Sequence, residues 1–290
     1  MKHAHPLALL GAAAALFAAP ALSSAQVFED NFDNFVTMGV GDLSSPSSVG
    51  GDPWSEIFGG GATDAYTSTA AYRGNGVAYN GVEDSAMGYF PTGFTSNGFT
   101  FACSVNWSNI AGGGGFGTNL KEAFAFYLGN AAGPVLTLAP GKNVTTEVFA
   151  YTFRTTAGAL NAGTISGVTP ATTFRIVGQV IPPTAAATAN GTLRLWIEPA
   201  SDTATPLVNN VTFSGGGSAF PADANRNPTL VAFGAPVFAG SAARPNMVID
   251  EIQLFDGATY DGSGADTYSI AYDWIVNGFP SRVSDWQLHD

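Results

Sequence analysis

The stretch Asn246-Met-Val-Ile-Asp-Glu-Ile-Gln-Leu-Phe255 decides the predicted fold, because it has the composition of a core β-strand with one charge on its apolar side. Successive side chains of a strand point to opposite faces, so Asp250 is predicted to share a face with three hydrophobic residues. These are Val248, Ile252 and Leu254. A carboxylate buried there without a partner is costly, so the sequence predicts a bound cation, an arginine or backbone amides beside Asp250.

The first 25 residues have the pattern of a secretory signal peptide. A start with a basic residue leads into an apolar run over residues 7–22, and Ser23-Ser-Ala25 supplies the small residues for cleavage after Ala25. An uncleaved anchor is the alternative, which the short, alanine-rich run broken by Pro20 disfavours. We therefore expect a secreted, extracellular or cell-surface chain that is not inserted in a membrane.

The remaining chain is long enough for one large all-β domain. No linker rich in proline, serine and glycine divides it, so we assign residues 26–256 to one domain. Residues 257–290 then form a C-terminal extension that packs on this domain or trails from it. Within the extension, residues 268–278 fit either a short helix ended by Gly278 or a final pair of strands.

Several segments have the composition of strands, being aromatic or β-branched and bounded by Gly, Pro or Asn. They are Phe99–Trp107, Glu122–Leu128, Val148–Arg154, Thr173–Ile181, Thr192–Glu198, Thr229–Phe233 and Met247–Phe255, with shorter pieces at Ala70–Arg73 and Ser85–Phe90. A further strand is predicted around Phe28 at the start of the mature chain. Their regular spacing predicts a β-sandwich.

The acidic composition limits the partners. Removal of Lys2 with the signal peptide leaves nine basic side chains against 22 acidic ones. Such a surface disfavours nucleic acid and anionic membranes. The exposed positions are filled largely by Gly, Ala, Thr, Ser and Asn, which is typical of proteins that live outside cells.

Cysteine and histidine exclude several kinds of site. Cys103 is the sole cysteine and lies in phase with Phe99 and Phe101, so we expect a small buried hydrophobe rather than a reactive thiol. His3 and His5 belong to the signal peptide, and the third histidine is the penultimate residue. A mature chain of this kind excludes a Ser-His-Asp or Cys-His catalytic site and an ordinary zinc site.

Three pieces of the chain resemble the concanavalin A-like lectin/glucanase superfamily, in its laminin-G-like secreted bacterial branch. They are Thr173-Phe-Arg-Ile-Val-Gly-Gln-Val180, Gly191-Thr-Leu-Arg-Leu-Trp-Ile-Glu-Pro199 and Val248-Ile-Asp-Glu-Ile-Gln-Leu254. The resemblance implies a jelly roll of two antiparallel sheets. It also implies glycan binding or glycan cleavage as the commonest function.

Trp196 is the candidate ligand-binding residue. Alternation places it on one side of its strand with Arg194 and Glu198, and an aromatic ring flanked by an arginine and a carboxylate is typical of a sugar platform. The alternative is that a loop simply covers the ring. An extracellular glycan or cell-surface polymer is the partner that this pattern predicts.

A calcium site is the second candidate. Jelly rolls of the superfamily often hold one structural Ca²⁺ between the first and penultimate strands, so the resemblance implies that Glu29, Asp30 or Asp33 comes near Asp250. The alternative is an Asp250 that is hydrogen-bonded or paired with an arginine. The candidate arginines are Arg175 and Arg244.

The predicted strand that carries Asp250 also disfavours catalysis. The superfamily's laminarinase-like hydrolases carry Glu-x-Asp-x-Glu, which aims alternate carboxylates into one cleft. Here the positions in phase with Asp250 are Val248 and Ile252, and Glu251 is predicted on the opposite face. We expect a non-catalytic carbohydrate-binding or cell-surface interaction module. The alternatives are a self-associating envelope or matrix protein and a polysaccharide-degrading glycoside hydrolase.

Overall fold

The computed structural model describes residues 26–30, 55–58, 65–68, 76–79, 86–89, 93–95, 98–108, 124–128, 136–143, 146–156, 159–181, 190–214, 228–234, 246–264 and 266–277. The predicted signal peptide, the strand-like piece Ala70–Arg73, Asp33 and Arg244 lie outside these residues.

Within these ranges the backbone forms strands and a single helix. The elements are β1 (Gln26–Asp30), β2 (Ser55–Phe58), β3 (Ala65–Ser68), β4 (Gly76–Tyr79), β5 (Ala86–Tyr89), β6 (Phe99–Ser108), β7 (Phe124–Leu128), β8 (Leu136–Asn143), β9 (Thr146–Thr156), β10 (Ala159–Ile165), β11 (Phe174–Ile181), β12 (Asn190–Ile197), β13 (Val208–Ser214), β14 (Pro228–Gly234), β15 (Asn246–Asp256) and α1 (Thr267–Asn277).

The strands form two antiparallel sheets, which confirms the predicted all-β, two-sheet β-sandwich of jelly-roll type. An eight-stranded sheet has the order β13-β12-β11-β6-β15-β4-β3, with β1 pairing beside β4 on the same edge of β15. A seven-stranded sheet has the order β10-β9-β8-β7-β14-β5-β2. The seven longer predicted strands all fall on observed ones, and Ser85–Phe90 contains β5.

The inner face of the eight-stranded sheet forms the dry core of the sandwich. Phe101 and Cys103 on β6 are fully buried, and Phe174 on β11 meets Phe149 of the other sheet, with ring centroids 5.1 Å apart. Cys103 is therefore the buried hydrophobe that alternation predicts, and burial raises the pKa of its thiol. This layer is where regular period-2 patterning holds.

The outer face of the same sheet is buried too, because helix α1 lies across it. Seven buried residues, which we call the outer cluster, join the sheet to the helix. They are Ala102, Val177, Trp196, Phe255, Tyr268, Ala271 and Ile275. Of the two alternatives for the C-terminal segment, the helix is the one that forms, and it packs on the domain rather than trailing from it.

A β-bulge corrects the prediction for Asp250. The pairing of β15 with β6 shifts between Asp250 and Gln253, and Glu251 within the bulge has a φ of 56°. The extra residue reverses the alternation. Asp250 pairs with Ser104 on the outer face, whereas Leu254 pairs with Phe101 on the inner one.

Asp250 therefore shares a face with Val248 but not with Ile252 or Leu254, and that part of the prediction is wrong. The aspartate is nonetheless only 1% exposed, as a residue of the interior should be. The positive φ of a glutamate carries backbone strain of about 1–2 kcal/mol, which the pairing on either side must offset.

Candidate functional site

Helix α1 begins at an aspartate cap. Asp266 Oδ1 accepts hydrogen bonds from the backbone N–H of Ser269 at 2.8 Å and from its hydroxyl at 2.9 Å. The carbonyl oxygen of Asp266 accepts the N–H of Ile270 at 3.1 Å, which is the first bond of the helix. An aspartate in this position satisfies donors that the first turn leaves without partners. The cap fixes where the helix starts above the sheet.

A hydroxyl network then ties the helix start to the sheet. Thr267 Oγ1 lies 2.9 Å from Thr100 Oγ1 on β6 and accepts the backbone N–H of Thr259 at 2.8 Å. Gln179 on β11 is fully buried, and its Nε2 donates to the carbonyl oxygen of Thr259 at 2.6 Å. Thr100 and Gln179 on the outer face are thus satisfied by the segment that covers them.

Trp196 lies at the centre of the outer cluster and is only 1% exposed. Its ring stacks on Tyr268 with centroids 4.2 Å apart and planes inclined by 20°, and its Nε1 donates to the carbonyl oxygen of Ala204 at 2.7 Å. The structure therefore matches the alternative in which the ring is covered. An open sugar platform on Trp196 is not present, because α1 and the loop after β12 occupy that side.

Tyr268 itself is a core residue. Its hydroxyl donates to the carbonyl oxygen of Ser201 at 2.7 Å. Burial, followed by the neighbouring tyrosines and aspartates, raises the pKa of Tyr268 well above its usual range. The phenol stays a neutral donor that fastens the helix to the loop.

Arg194 and Tyr260 form the open edge of the outer cluster. The Arg194 Nη1 donates to Gln179 Oε1 at 3.0 Å, and its guanidinium carbon lies 5.9 Å from the ring centroid of Tyr260. Tyr260 is partly exposed, and its ring makes edge contacts with Trp196 at 5.1 Å and Tyr268 at 5.4 Å. The pair presents a rigid aromatic surface beside a cation.

Glu198 lies apart from this edge. Its side chain is 44% exposed and pairs with Arg175, whose Nη2 donates to Glu198 Oε2 at 2.7 Å. A φ of 46° at Glu198 turns the chain out of β12, so the carboxylate reaches β11 instead of following Arg194. The structure therefore does not bring Arg194, Trp196 and Glu198 into one open site.

Sequence reasoning missed the other residues at this edge. Tyr260 lies in the part of the predicted C-terminal extension to which no element was assigned, and Tyr272 lies in the segment that fitted either a helix or a pair of strands. Asp202, in the loop after β12, comes close to Asp273 on helix α1. Burial and the charge of Asp202 together raise the pKa of Asp273. The helical alternative for residues 268–278 was a signal for two of these residues, since it would have placed Tyr272 and Asp273 on one helix.

The strand pairing places Glu29 and Asp30 on a strand next to the one that carries Asp250. β1 pairs with β15 so that Glu29 stands opposite Gln253 and Asp30 opposite Ile252. Asp250 Oδ1 accepts the backbone N–H of Glu251 at 2.8 Å. Among the residues that the structure describes, no three His, Cys, Asp or Glu side chains gather closely enough to hold a metal ion. The side chains of Glu29 and Asp30 lie outside the described part.

Gln253 is an unusual polar group in this region. It is fully buried, and both atoms of its amide lack a hydrogen-bond partner in the described part of the chain. A buried amide left in this state requires an explanation, such as an ion or a water molecule. Its carbonyl oxygen is a hard ligand of the kind that Ca²⁺ accepts.

The described part of the chain contains no helix with the length and apolar character needed to cross a membrane.

Comparisons with known proteins give a fold but no family. No family model matches the chain, and no curated protein matches it. Among solved structures, the receptor binding domain of botulinum neurotoxin D aligns with a TM-score of 0.50 at 8% identity, covering 87% of this chain and 53% of that one.

Two further structures align somewhat less well. Domain 4 of AbnA, a GH43 extracellular arabinanase from Geobacillus stearothermophilus in complex with arabinotriose, gives a TM-score of 0.49 at 12% identity, with 86% of this chain and 98% of that one covered. A mutant of alginate lyase Aly36B in complex with alginate tetrasaccharide gives a TM-score of 0.48 at 12% identity, and the alignment covers 82% of this chain and 99% of that one. At such low identity the chain is similar to the toxin domain in its sandwich fold alone.

Proposed function

We propose that the mature chain is a secreted, non-catalytic carbohydrate-binding module that contacts its ligand at the open edge of the outer cluster. The observation that carries this proposal is the partly exposed ring of Tyr260, held by edge contacts to Trp196 and Tyr268 beside the guanidinium of Arg194. Aromatic rings pack against the C–H faces of sugars while neighbouring polar groups bind hydroxyls.

Rigidity at this edge favours binding. The Tyr260 ring is fixed by two aromatic neighbours, and Arg194 is fixed by Gln179, which is itself held by the hydroxyl network. A surface that is already ordered loses little conformational entropy when a ligand binds. Trp196, which the sequence placed at the ligand, acts instead as the support beneath Tyr260.

The burial of two carboxylates supports a non-catalytic role. Asp250 and Glu251, on the strand that resembles the motif strand of the laminarinase-like hydrolases, are 1% and 2% exposed. A glycosidase needs two carboxyl groups facing a cleft that admits the polymer. Asp250 lies on the helix-covered face of the sheet, where a polysaccharide cannot reach it.

A glycan array with the mature chain tests the proposal. We expect binding to at least one class of glycan and a loss of about tenfold or more in affinity for Tyr260→Ala, as removal of a packed aromatic contact should produce. Thr164→Ala, at an exposed position of the other sheet, is the matched control and should bind normally. Full affinity in Tyr260→Ala, or no binding to any glycan, would contradict the proposal.

Self-association is the second candidate function, and one surface favours it. Leu207 is 51% exposed, and among the described residues it is the exposed large hydrophobic side chain. An exposed apolar group of this kind suits a contact between copies in an extracellular matrix. Sedimentation of the wild type and of Leu207→Asp distinguishes the candidates, since assembly that depends on concentration in the wild type and disappears in the variant supports a matrix protein.

We also propose one structural Ca²⁺ beside the bulge, with Asp250 as one carboxylate ligand and Glu29 or Asp30 of the neighbouring strand as another. The proximity of β1 to β15 and the buried amide of Gln253 support it. Calcium that binds only the folded chain must raise the melting temperature. We expect EDTA to lower it and added Ca²⁺, but not Mg²⁺, to restore it. Equal melting curves with EDTA and with Ca²⁺ would exclude the site.

A further inference from the structure

Arg194 differs from the other arginine of the same sheet in its partners. Arg175 is neutralised by Glu198 through its Nε and Nη2. Arg194 makes one side-chain hydrogen bond, to the neutral amide of Gln179, and within the described part of the chain no carboxylate pairs with it. The chain carries 22 acidic side chains against ten basic ones, and in the described part of the chain the partly buried Arg194 is not neutralised by any of them.

The local hydrogen bonds hold Arg194 in place without satisfying it. Gln179 uses its Nε2 on Thr259, Thr100 and Thr267, which leaves Oε1 as the atom that accepts from Arg194. A guanidinium has five N–H donors in a planar fork, and this bond uses one of them. No other described group accepts from the remaining four, which are therefore the donors that we assign to a ligand at the partly exposed edge.

We infer that the glycan bound at this edge is acidic, and that Arg194 and Tyr260 form a subsite for a uronic-acid residue. The inference rests on the proposed function and specifies its ligand. A carboxylate matches the planar fork of a guanidinium through two parallel hydrogen bonds. Tyr260 is partly exposed beside the guanidinium, and we assign the C–H face of the same sugar to the part of its ring that the protein leaves open.

A neutral sugar fits this subsite less well. Its hydroxyls can accept hydrogen bonds from Arg194 but leave the partly buried charge without a counter-ion, and excluding water from such a charge is costly. Sulfate esters share the anionic chemistry but are tetrahedral. A comparison of carboxylated, sulfated and neutral ligands therefore separates the possible sources of the anion.

The test is calorimetric titration of the mature chain at physiological salt. The ligands are oligogalacturonate, oligoguluronate and oligoglucuronate, each paired with its carboxyl-reduced counterpart, and a sulfated neutral oligosaccharide of equal length. We expect at least one uronate to bind about tenfold or more tightly than its reduced form. Arg194→Gln should abolish this preference, and Arg194→Lys should keep part of it.

Arg175→Gln is the matched control, since it removes a cation of the same sheet that already has a partner, and the uronate preference should survive it. Melting temperatures identify any variant that has lost its fold. Equal affinity of uronates and reduced forms, stronger binding of the sulfated ligand, or a preference that survives Arg194→Gln would each overturn the inference. Binding to neutral glycans without such a preference would overturn the inference and leave the carbohydrate-binding proposal intact.

Discussion

The two faces of the eight-stranded sheet are both buried, but they are buried in different ways. The inner face is apolar, with Phe99, Phe101 and Leu254 fully shielded between the sheets. The outer face mixes aromatic rings with buried polar groups such as Gln179 and Thr100, all beneath helix α1. Hydrophobic packing alone specifies the first face, whereas the second also depends on a set of satisfied hydrogen bonds.

The difference shows where a functional surface can arise. The inner-face residues Phe99, Phe101 and Leu254 are out of reach of solvent, so a substitution there acts on the stability of the fold. The outer cluster ends at Tyr260 and Arg194, where its packing meets solvent. The same residues that fasten the helix therefore also support the surface on which we place the ligand.

The largest expected effect comes from the outer face. Trp196→Ala removes the central ring of the outer cluster and its hydrogen bond to Ala204, and should lower the free energy of unfolding by about 3–5 kcal/mol. Urea denaturation measures it. Trp274→Ala, which removes a partly exposed ring of helix α1, is the control, and it should lower the free energy of unfolding much less. Equal small losses would mean that Trp196 is not a core residue.

The next effect comes from the inner face. A Cβ at Gly178 would lie 2.1 Å from Cζ of the buried Phe101 ring, so Gly178→Ala should destabilise the fold by about 1–3 kcal/mol through overpacking. At Gly167 a Cβ meets no neighbour, and Gly167→Ala has only the strain of its positive φ of 83°. A smaller loss at Gly178 than at Gly167 would show that the inner core is looser than described.

A third substitution tests the attachment of the helix without touching either core. Asp266→Ala removes the cap from α1 and should cost about 1 kcal/mol. Asp261→Ala, at an exposed carboxylate of the adjacent turn, should change the unfolding free energy far less. Thermal unfolding of the two variants decides the matter, and an Asp266 variant as stable as the wild type would mean that the cap does not hold the helix.

The smallest effect is a dependence on pH at the edge of the outer face. Because the pKa of Asp273 is raised in the folded state, the folded chain holds this proton more strongly than the unfolded chain. Its contribution to stability therefore falls as pH rises from the unfolded-state pKa of about 3.9 through the higher folded-state value. Asp273→Asn should raise the melting temperature near neutral pH and leave it unchanged below about pH 3. An unchanged melting temperature at neutral pH would contradict the assigned environment.

The contrast between the faces also explains what the sequence could predict. Period-2 alternation gave the inner face correctly, down to the burial of Cys103. The same rule misassigned Asp250, because the bulge at Glu251 leaves no signal in residue types. Six strands were missed. Three of them, β8, β10 and β13, are rich in Asn, Gly, Ala or Pro, which strands otherwise avoid, and hydrogen bonding to neighbouring strands outweighs these preferences. The other three, β2, β3 and β4, are only four residues long, which is too short to show a clear alternation.

The candidate site was less predictable than the fold. Alternation placed Trp196 and Arg194 on the same face, and they do share the outer face. It could not show that a helix some seventy residues later would cover the tryptophan and leave the arginine at the edge. Tyr260 gained its role only through contacts with residues distant in the chain, and such contacts have no local pattern.

The exchange rate of the Trp196 indole proton tests the central claim, which is that the outer face forms a second core covered by helix α1. This proton is buried and bonded to Ala204 at 2.7 Å, so NMR of the mature chain should show it exchanging only when the helix lifts or the domain unfolds. We predict exchange slowed by about a thousandfold or more, equivalent to roughly 4 kcal/mol. Exchange at the rate of a free indole would place Trp196 in solvent and contradict the account.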